Sequence, residues 1–251
     1  MRVVNGFIAV ALCCLLSGPA LAARIHVAVA ANFSAAMRDI APQFEQSTGH
    51  ELLLSFGSSG KIFAQIQHGA PFQVFLSADQ EKPEALEQAG LGVPGSRFTY
   101  AVGALALWSA TPGFVDDTPT RLISGNFNKL ALANPKLAPY GVAAVEVLAA
   151  LQLKQVTEPS WVMGENVAQT YQFVATGNAD LGFVALSQIM HRGRIKKGSS
   201  WLVPPELYSP IRQDAVLLQN AADSEAAKAL LDYLRSDEIR GIIHAHGYAT
   251  K

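Results

Sequence analysis

The chain has 251 residues, half of them hydrophobic, with 19 basic side chains against 20 acidic ones. That balance lacks the basic excess of a nucleic-acid binder, so nucleic acid is not expected as a partner. The two cysteines, Cys13 and Cys14, both sit near the N-terminus; a disulfide scaffold is excluded, and ordinary hydrophobic cores must hold the fold.

Met1-Arg2 gives a short positive start, Val3 to Leu16 is apolar apart from Asn5 and Gly6, and Ala20-Leu21-Ala22 is a small-x-small pattern. This is the layout of a secretory signal peptide, cleaved after Ala22. The apolar run falls short of the roughly 20 residues of a membrane-spanning helix. An acylated-cysteine anchor is disfavoured by the bulky Leu12 before Cys13 and by Cys13 itself before Cys14. Loss of the leader removes Arg2 and leaves a mature chain from Ala23 with net charge −2 in place of −1.

Ile25 to Ala30 is a short run rich in β-branched residues, and Ser34 to Phe44 carries Met37, Ile40 and Phe44 at helical spacing, with Asn32 as the expected N-cap. The unit recurs: Leu52 to Phe56 reads as a strand, Gly57 to Gly60 as a turn, and Ile62 to Ile66 as the core of a helix. A third strand, Phe72 to Leu76, precedes a helix with Pro83 in its first turn. Phe98 to Leu107 is a long apolar run expected to carry the chain elsewhere. The pattern restarts with Leu130 to Ala133, a helix over Tyr140 to Leu151, a strand near Trp161, a helix over Glu165 to Ala175 and a strand at Leu181 to Ala185. Asp214 to Leu218 is placed to return the chain to the first unit, and two helices follow, Asp223 to Leu234 and Asp237 to His246, the last stopped by Gly247.

Strands alternating with helices at this spacing predict an α/β chain. It divides into two lobes, residues 23–101 with 215–251 and residues 102–214, each a mostly parallel sheet flanked by helices. The cleft between such lobes is the default place for a ligand.

Four strand-to-helix turns are rich in small and hydroxyl residues: Ala30-Ala31-Asn32, Gly57-Ser58-Ser59-Gly60, Asn134 to Gly141, and Gly164-Glu165-Asn166-Val167. A helix start leaves backbone N–H groups without partners and carries about half a positive charge, so several starts facing one cleft make an anion site without lysine or arginine. Ser, Asn and Gly also occupy such turns simply because they cap helices. The turns by themselves leave the ligand open.

Val27 to Phe33, Gly57-Ser-Ser-Gly60, Gly69 to Phe72, Phe75 to Asp79, Ser96 to Tyr100, Ala104 to Trp108, Ala133-Asn-Pro135 with Ala138 to Gly141, and Ala179 to Val184 together resemble, in order, the periplasmic molybdate-binding proteins of ABC importers. The resemblance spans essentially the mature chain. It implies a type II periplasmic-binding-protein fold and a periplasmic location. The implied ligand is molybdate or tungstate, with no cofactor and no direct protein–metal bond. Its implied partners are an ABC permease and its ATPase, with the protein itself a monomer. Carried over by position, Asn32 donates its backbone N–H, Ser59 its hydroxyl and N–H, and Tyr140 and Val167 their N–H groups, with Ala31 adding another. Ser58 is expected to support the turn. At Ala185 the enteric branch has a tyrosine whose hydroxyl touches the anion, so this chain is expected to lack that donor. Closure about crossings near Ala101 and Asp214 is the expected motion.

The remaining polar residues read more plainly. His244 and His246 are two apart and point to different helix faces, and His26, His50, His68 and His191 belong to separate elements, so no metal site is expected. Asp79, Glu165 and Asp180 read as caps or solvated groups, and Trp108, Trp161 and Trp201 as packing residues. Arg192, Arg194, Lys196 and Lys197 read as a solvated helix end and loop, the rival being a permease docking patch. Two alternatives stand beside the main reading: a binding protein for sulfate, an organic acid or a ferric complex, and an enzyme on the same fold. The enzyme of that shape, porphobilinogen deaminase, tethers its cofactor through a cysteine, which the mature chain lacks; no enzymatic activity is expected.

Overall fold

A computed structural model describes residues 22–191, 193–195 and 197–250. The expected leader up to Leu21, with Cys13 and Cys14, lies outside the described residues, as do Arg192 and Lys196 of the basic cluster.

The strands, in chain order, are β1 (Arg24–Ala30), β2 (Glu51–Gly57), β3 (Val74–Leu76), β4 (Phe98–Gly103), β5 (Leu105–Ser109), β6 (Leu130–Ala133), β7 (Trp161–Gly164) and β8 (Leu181–Ala185). They continue with a short ribbon, β9 (Met190–His191) and β10 (Arg194–Ile195), then β11 (Ser199–Leu202) and β12 (Ile211–Leu217). Two five-stranded sheets result, ordered β2-β1-β3-β12-β4 and β11-β5-β8-β6-β7. In each, one strand opposes both its neighbours: β12 runs against β3 and β4, and β5 against β8 and β11. The pairs among β1, β2 and β3, and among β6, β7 and β8, are parallel. Both opposing strands directly follow a crossing between sheets. The chain passes from β4 to β5 through Ala104 and returns from β11 to β12 over residues 203–210. The apolar run Phe98 to Leu107 is therefore two strands, one in each sheet.

The main helices are α1 (Ser34–Thr48), α2 (Ser59–Gln67), α3 (Glu81–Gln88), α4 (Pro139–Ala150), α5 (Val167–Ala175), α6 (Glu225–Leu234) and α7 (Asp237–Ala245). Helix α1 forms because Met37, Ile40, Ala41 and Phe44 recur on one face, which it buries. It stops at Gly49, whose φ of 74° is left-handed. Ser224 and Ser236 cap α6 and α7 by accepting the N–H groups of Ala227 and Ile239. Gly247, at φ 80°, ends α7 where the sequence places the stop. In the first lobe Ile25, Val27 and Val29 of β1 pack with α1, α6 and α7; in the second, Leu105, Leu130, Leu132 and Phe183 pack with Val147 and Leu148 of α4. Several central strands are buried from end to end, as expected of sheets covered by helices on both faces.

Two local expectations are corrected. Asn32 does not cap α1: it lies inside a 3₁₀ turn, Ala31–Phe33, the cap position is Phe33, and no side chain caps the helix. The helix expected from Glu165 starts at Val167, because Asn166 caps it by accepting the N–H groups of Ala168 and Gln169.

Candidate functional site

The starts of α2, α4 and α5 and the 3₁₀ turn leading into α1 meet between the lobes. The small cavity they enclose, about 10 Å³, is lined by Ala30, Ala31, Asn32, Gly57, Ser58 and Ser59 from one side. Ala138, Pro139, Tyr140, Asn166 and Val167 line the other, with Ala78 at the edge. Space on this scale, close to that of one water-sized sphere, is far too small for a sugar or an amino acid. A larger cavity of about 250 Å³ shares Ala78, Ala138 and Pro139 with it. Its wall mixes the charged residues Asp79, Glu81, Glu146, Lys82 and Arg212, which suits no single small anion.

Glycines permit the close approach. A Cβ at Gly60 would strike the Leu137 carbonyl, to which the Gly60 N–H donates at 2.9 Å across the cleft. A Cβ at Gly141 would collide with the carbonyl group of Ala133, so only glycine lets the first turn of α4 settle on the end of β6. Gln188 steadies the α5 start: its amide donates to the Val167 carbonyl at 3.1 Å, and its carbonyl accepts the Ala185 N–H at 3.0 Å.

The N–H groups of Ala31, Asn32, Ser59, Tyr140 and Val167 find no acceptor among the described residues. All five residues line the small cavity, three from the first lobe and two from the second. Among the described residues no charged side chain lines it. Ser59 is buried, and its hydroxyl accepts the Ala78 N–H at 2.9 Å, which leaves its own proton free to donate. Ser58 also lines the cavity, and its hydroxyl is buried without a partner among the described residues. Ala185 is not brought to the cavity wall; it ends β8, fully buried. Lys61, one residue beyond the Gly57 to Gly60 turn, and Glu165, one residue before the cap Asn166, pair across the lobes at 3.0 Å while both remain well exposed. Such a pair contributes at most about 1 kcal/mol.

Behind the cavity lies a buried polar network. The Asn32 side-chain amide donates to Gln213 Oε1 at 2.8 Å and to Tyr248 Oη at 3.0 Å. The Asn32 carbonyl accepts from Tyr248 Oη at 2.8 Å and from Ser187 Oγ of the second lobe at 3.0 Å. Tyr100 donates to the Ser77 carbonyl or to Gln213 Oε1, each at 3.0 Å. Sequence reasoning missed Gln213, Ser187, Tyr100 and Tyr248. The available signal was Gln213-Asp214 directly before the apolar run Ala215 to Leu218, a polar pair where burial is expected.

Burial pushes the phenols of Tyr100, Tyr140 and Tyr248 up from their ordinary range. A raised folded-state value favours folding with the proton on; that contribution is intact below the unfolded tyrosine value, about 10, and is lost as pH climbs above it. Stability is therefore expected to fall steeply above about pH 10, with a shallower fall for Tyr248→Phe. Urea unfolding across the alkaline range checks the slope.

The other polar residues singled out in the sequence do not converge. Asp79 holds Lys82 at 2.6 Å, and Asp180 accepts the N–H groups of Asn128 and Lys129 at the start of β6. Trp108 and Trp201 are buried, and Trp161 donates to Thr157 at 3.1 Å. Among the described residues no three His, Cys, Asp or Glu side chains gather to hold a metal.

Residues 25–249 match the family model described as bacterial extracellular solute-binding protein. The chain is 56% identical to the molybdate-binding protein ModA of Azotobacter vinelandii, over 94% of each chain. It is 48% identical to that of Rhodobacter capsulatus, over 98% of this chain and 96% of the relative. The solved Azotobacter vinelandii periplasmic molybdate-binding protein superposes with a TM-score of 0.87 at 41% identity, covering 90% of this chain and 99% of that one. A shared architecture over the full described length, with identity this high, makes descent the economical explanation: the chain belongs to the bacterial extracellular solute-binding protein family.

Proposed function

We propose that this protein captures molybdate or tungstate outside the cytoplasm and delivers it to an ABC importer. It acts as a binding protein and not an enzyme; no bond of the ligand is made or broken, and no cofactor takes part. The observation that carries the reading is the convergence of five unpartnered N–H groups on a small cavity without charged side chains. The anion-binding relatives at 56% and 48% identity select the ligand.

In this reading Ala31, Asn32, Ser59, Tyr140 and Val167 each present an N–H to the dianion, and the Ser59 hydroxyl adds a sixth donor. Each hydrogen bond to a charged partner contributes roughly 1.5–3 kcal/mol, against an association cost of roughly 4–15 kcal/mol. Several donors are therefore required, and both lobes must supply them. The helix starts supply positive potential without a counter-charge that would need desolvating. Hydrogen phosphate brings an O–H that a wall of donors cannot accept, so it is disfavoured. Sulfate, with shorter bonds, is discriminated by size alone.

The leader directs export to the periplasm and is removed after Ala22. The two lobes expected as residues 23–101 with 215–251 and 102–214 are drawn as 23–103 with 211–251 and 104–210, because β4 runs on to Gly103 and β12 starts at Ile211, with the hinge at the two crossings. The closed monomer presents both lobes to a permease powered by its ATPase.

Thermal unfolding of the mature protein in excess molybdate, tungstate, sulfate or phosphate tests the reading. At a thousandfold excess over the dissociation constant, a ligand of the folded state adds about 4 kcal/mol. A large rise in Tm is expected with molybdate and tungstate only. Equal rises with all four anions would remove the size-selective cavity from the account.

A further inference from the structure

We propose that Gln213 is a positioning residue for anion capture, one amide that holds the donor turns of the two lobes in register across the hinge. This rests on the proposed anion site. Gln213 is fully buried on β12, the strand that re-enters the first sheet directly after the second crossing. Its Oε1 accepts from the Asn32 side chain of the first lobe at 2.8 Å, and its Nε2 donates to Tyr140 Oη of the second lobe at 3.3 Å. Asn32 and Tyr140 are two of the five cavity-lining residues with unpartnered N–H groups, one from each lobe. The amide therefore touches neither ligand nor cavity, yet it contacts a donor residue of each lobe.

Three further features hold the amide in place. Tyr100 interrupts the β4–β12 register, where the pairing shifts between Gln213 and Asp214, and its hydroxyl reaches Gln213 Oε1 at 3.0 Å. The Asn32 amide, which donates to Oε1, fixes the orientation of the Gln213 amide and leaves Nε2 for Tyr140. At the first crossing, a Cβ on Gly103 would collide with both Tyr140 Oη and Gln213 Nε2, so glycine there keeps the contact open. Asp214, the next residue, is tied down by Thr99 at 2.7 Å and Arg97 at 2.8 Å, which prevents β12 from sliding. Rotation of the lobes about the crossings changes the distance from Gln213 to Tyr140 while leaving Gln213 to Asn32 unchanged. The Tyr140 contact is thus made with closure, and its loss speeds opening more than it slows capture.

The test compares Gln213→Met, which removes the amide's bonds to Asn32, Tyr100 and Tyr140, Tyr140→Phe, which removes only the hydroxyl and keeps the backbone donor, and the double variant. Stopped-flow with molybdate is expected to show dissociation three- to tenfold faster in each single variant, on the scale of one neutral hydrogen bond. Association is expected to stay within twofold, and the double variant to be no faster in dissociation than Gln213→Met, because the contact is shared. Losses that multiply in the double variant, or dissociation within twofold of the original in folded protein, would overturn the role. A ligand-free arm separates this from the function reading: Gln213→Met should raise amide hydrogen exchange at both the 31–33 and the 140–141 turns. Faster exchange at one turn only overturns the bridge. Failure of the unmodified protein to bind molybdate overturns the proposed function, and the exchange result then decides the bridge by itself.

Discussion

Ser59→Ala is expected to weaken molybdate binding by about ten- to 150-fold, the factor that corresponds to one hydrogen bond to a charged partner worth roughly 1.5–3 kcal/mol. The hydroxyl is held ready by the Ala78 N–H, so its proton is aimed before the anion arrives. The same substitution leaves that N–H buried without an acceptor, which costs ligand-free stability about 1–3 kcal/mol. Ser58→Ala provides the contrast. Its hydroxyl is buried without a partner among the described residues, so removal is expected to leave ligand-free stability unchanged or slightly raised. Because nothing orients that hydroxyl in advance, its loss should affect affinity far less. Calorimetric titration and urea unfolding of both variants check the pair; equal losses of affinity would assign anion contact to both hydroxyls.

Gly141→Ala is expected to be the most damaging single methyl group in the site. The new Cβ meets the Ala133 carbonyl group and the Pro135 nitrogen, both backbone, and neither can swing aside as a side chain would. Overpacking costs roughly 1–3 kcal/mol, and with backbone on the other side the upper end applies. The start of α4 must lift from β6, taking the Tyr140 N–H with it, so affinity falls along with stability. Gly241→Ala, in α7 with open space around it, should be neutral or better in the same unfolding measurement. Similar stability losses at both positions would contradict the close-approach argument.

The parts of the fold that were legible in the sequence are those where one periodicity dominates. Helix α1 repeats Met37, Ile40 and Phe44 on a single face, and Leu181 to Ala185 is an apolar run bounded by turn residues; both lie where expected. The crossing at Ala104 was legible only as a long apolar run, because strands buried on both faces lose the alternation that marks a boundary. Strand β11 escaped notice because Ser199 and Ser200 dilute it, while it is held in place by pairing with β5. The second crossing is broken up by Pro204, Pro205 and Pro210, and its return strand starts at Ile211, three residues before the apolar stretch becomes evident.

For the site, the small residues of each turn were visible, but convergence is a property of the fold. Strand order decides that the ends of β1, β2, β6 and β7 face one cleft, and chain order does not reveal it; the family resemblance supplied that step. Asn32 illustrates the remaining gap. In sequence it reads as a helix cap, yet Gln213 and Tyr248, 181 and 216 residues away, claim its amide. Side-chain partners at that separation leave no local trace, since the hydrogen bond is set by where two strands and the C-terminal segment come to rest.

The most direct test of the central claim is titration calorimetry of the anion-free mature protein with sodium molybdate, with sulfate and phosphate as parallel titrants. The account predicts one molybdate bound per chain, with sulfate much weaker and phosphate undetectable at the same concentrations. Phosphate binding as tight as molybdate, or no heat with molybdate from folded protein, would contradict a neutral, donor-lined oxyanion site.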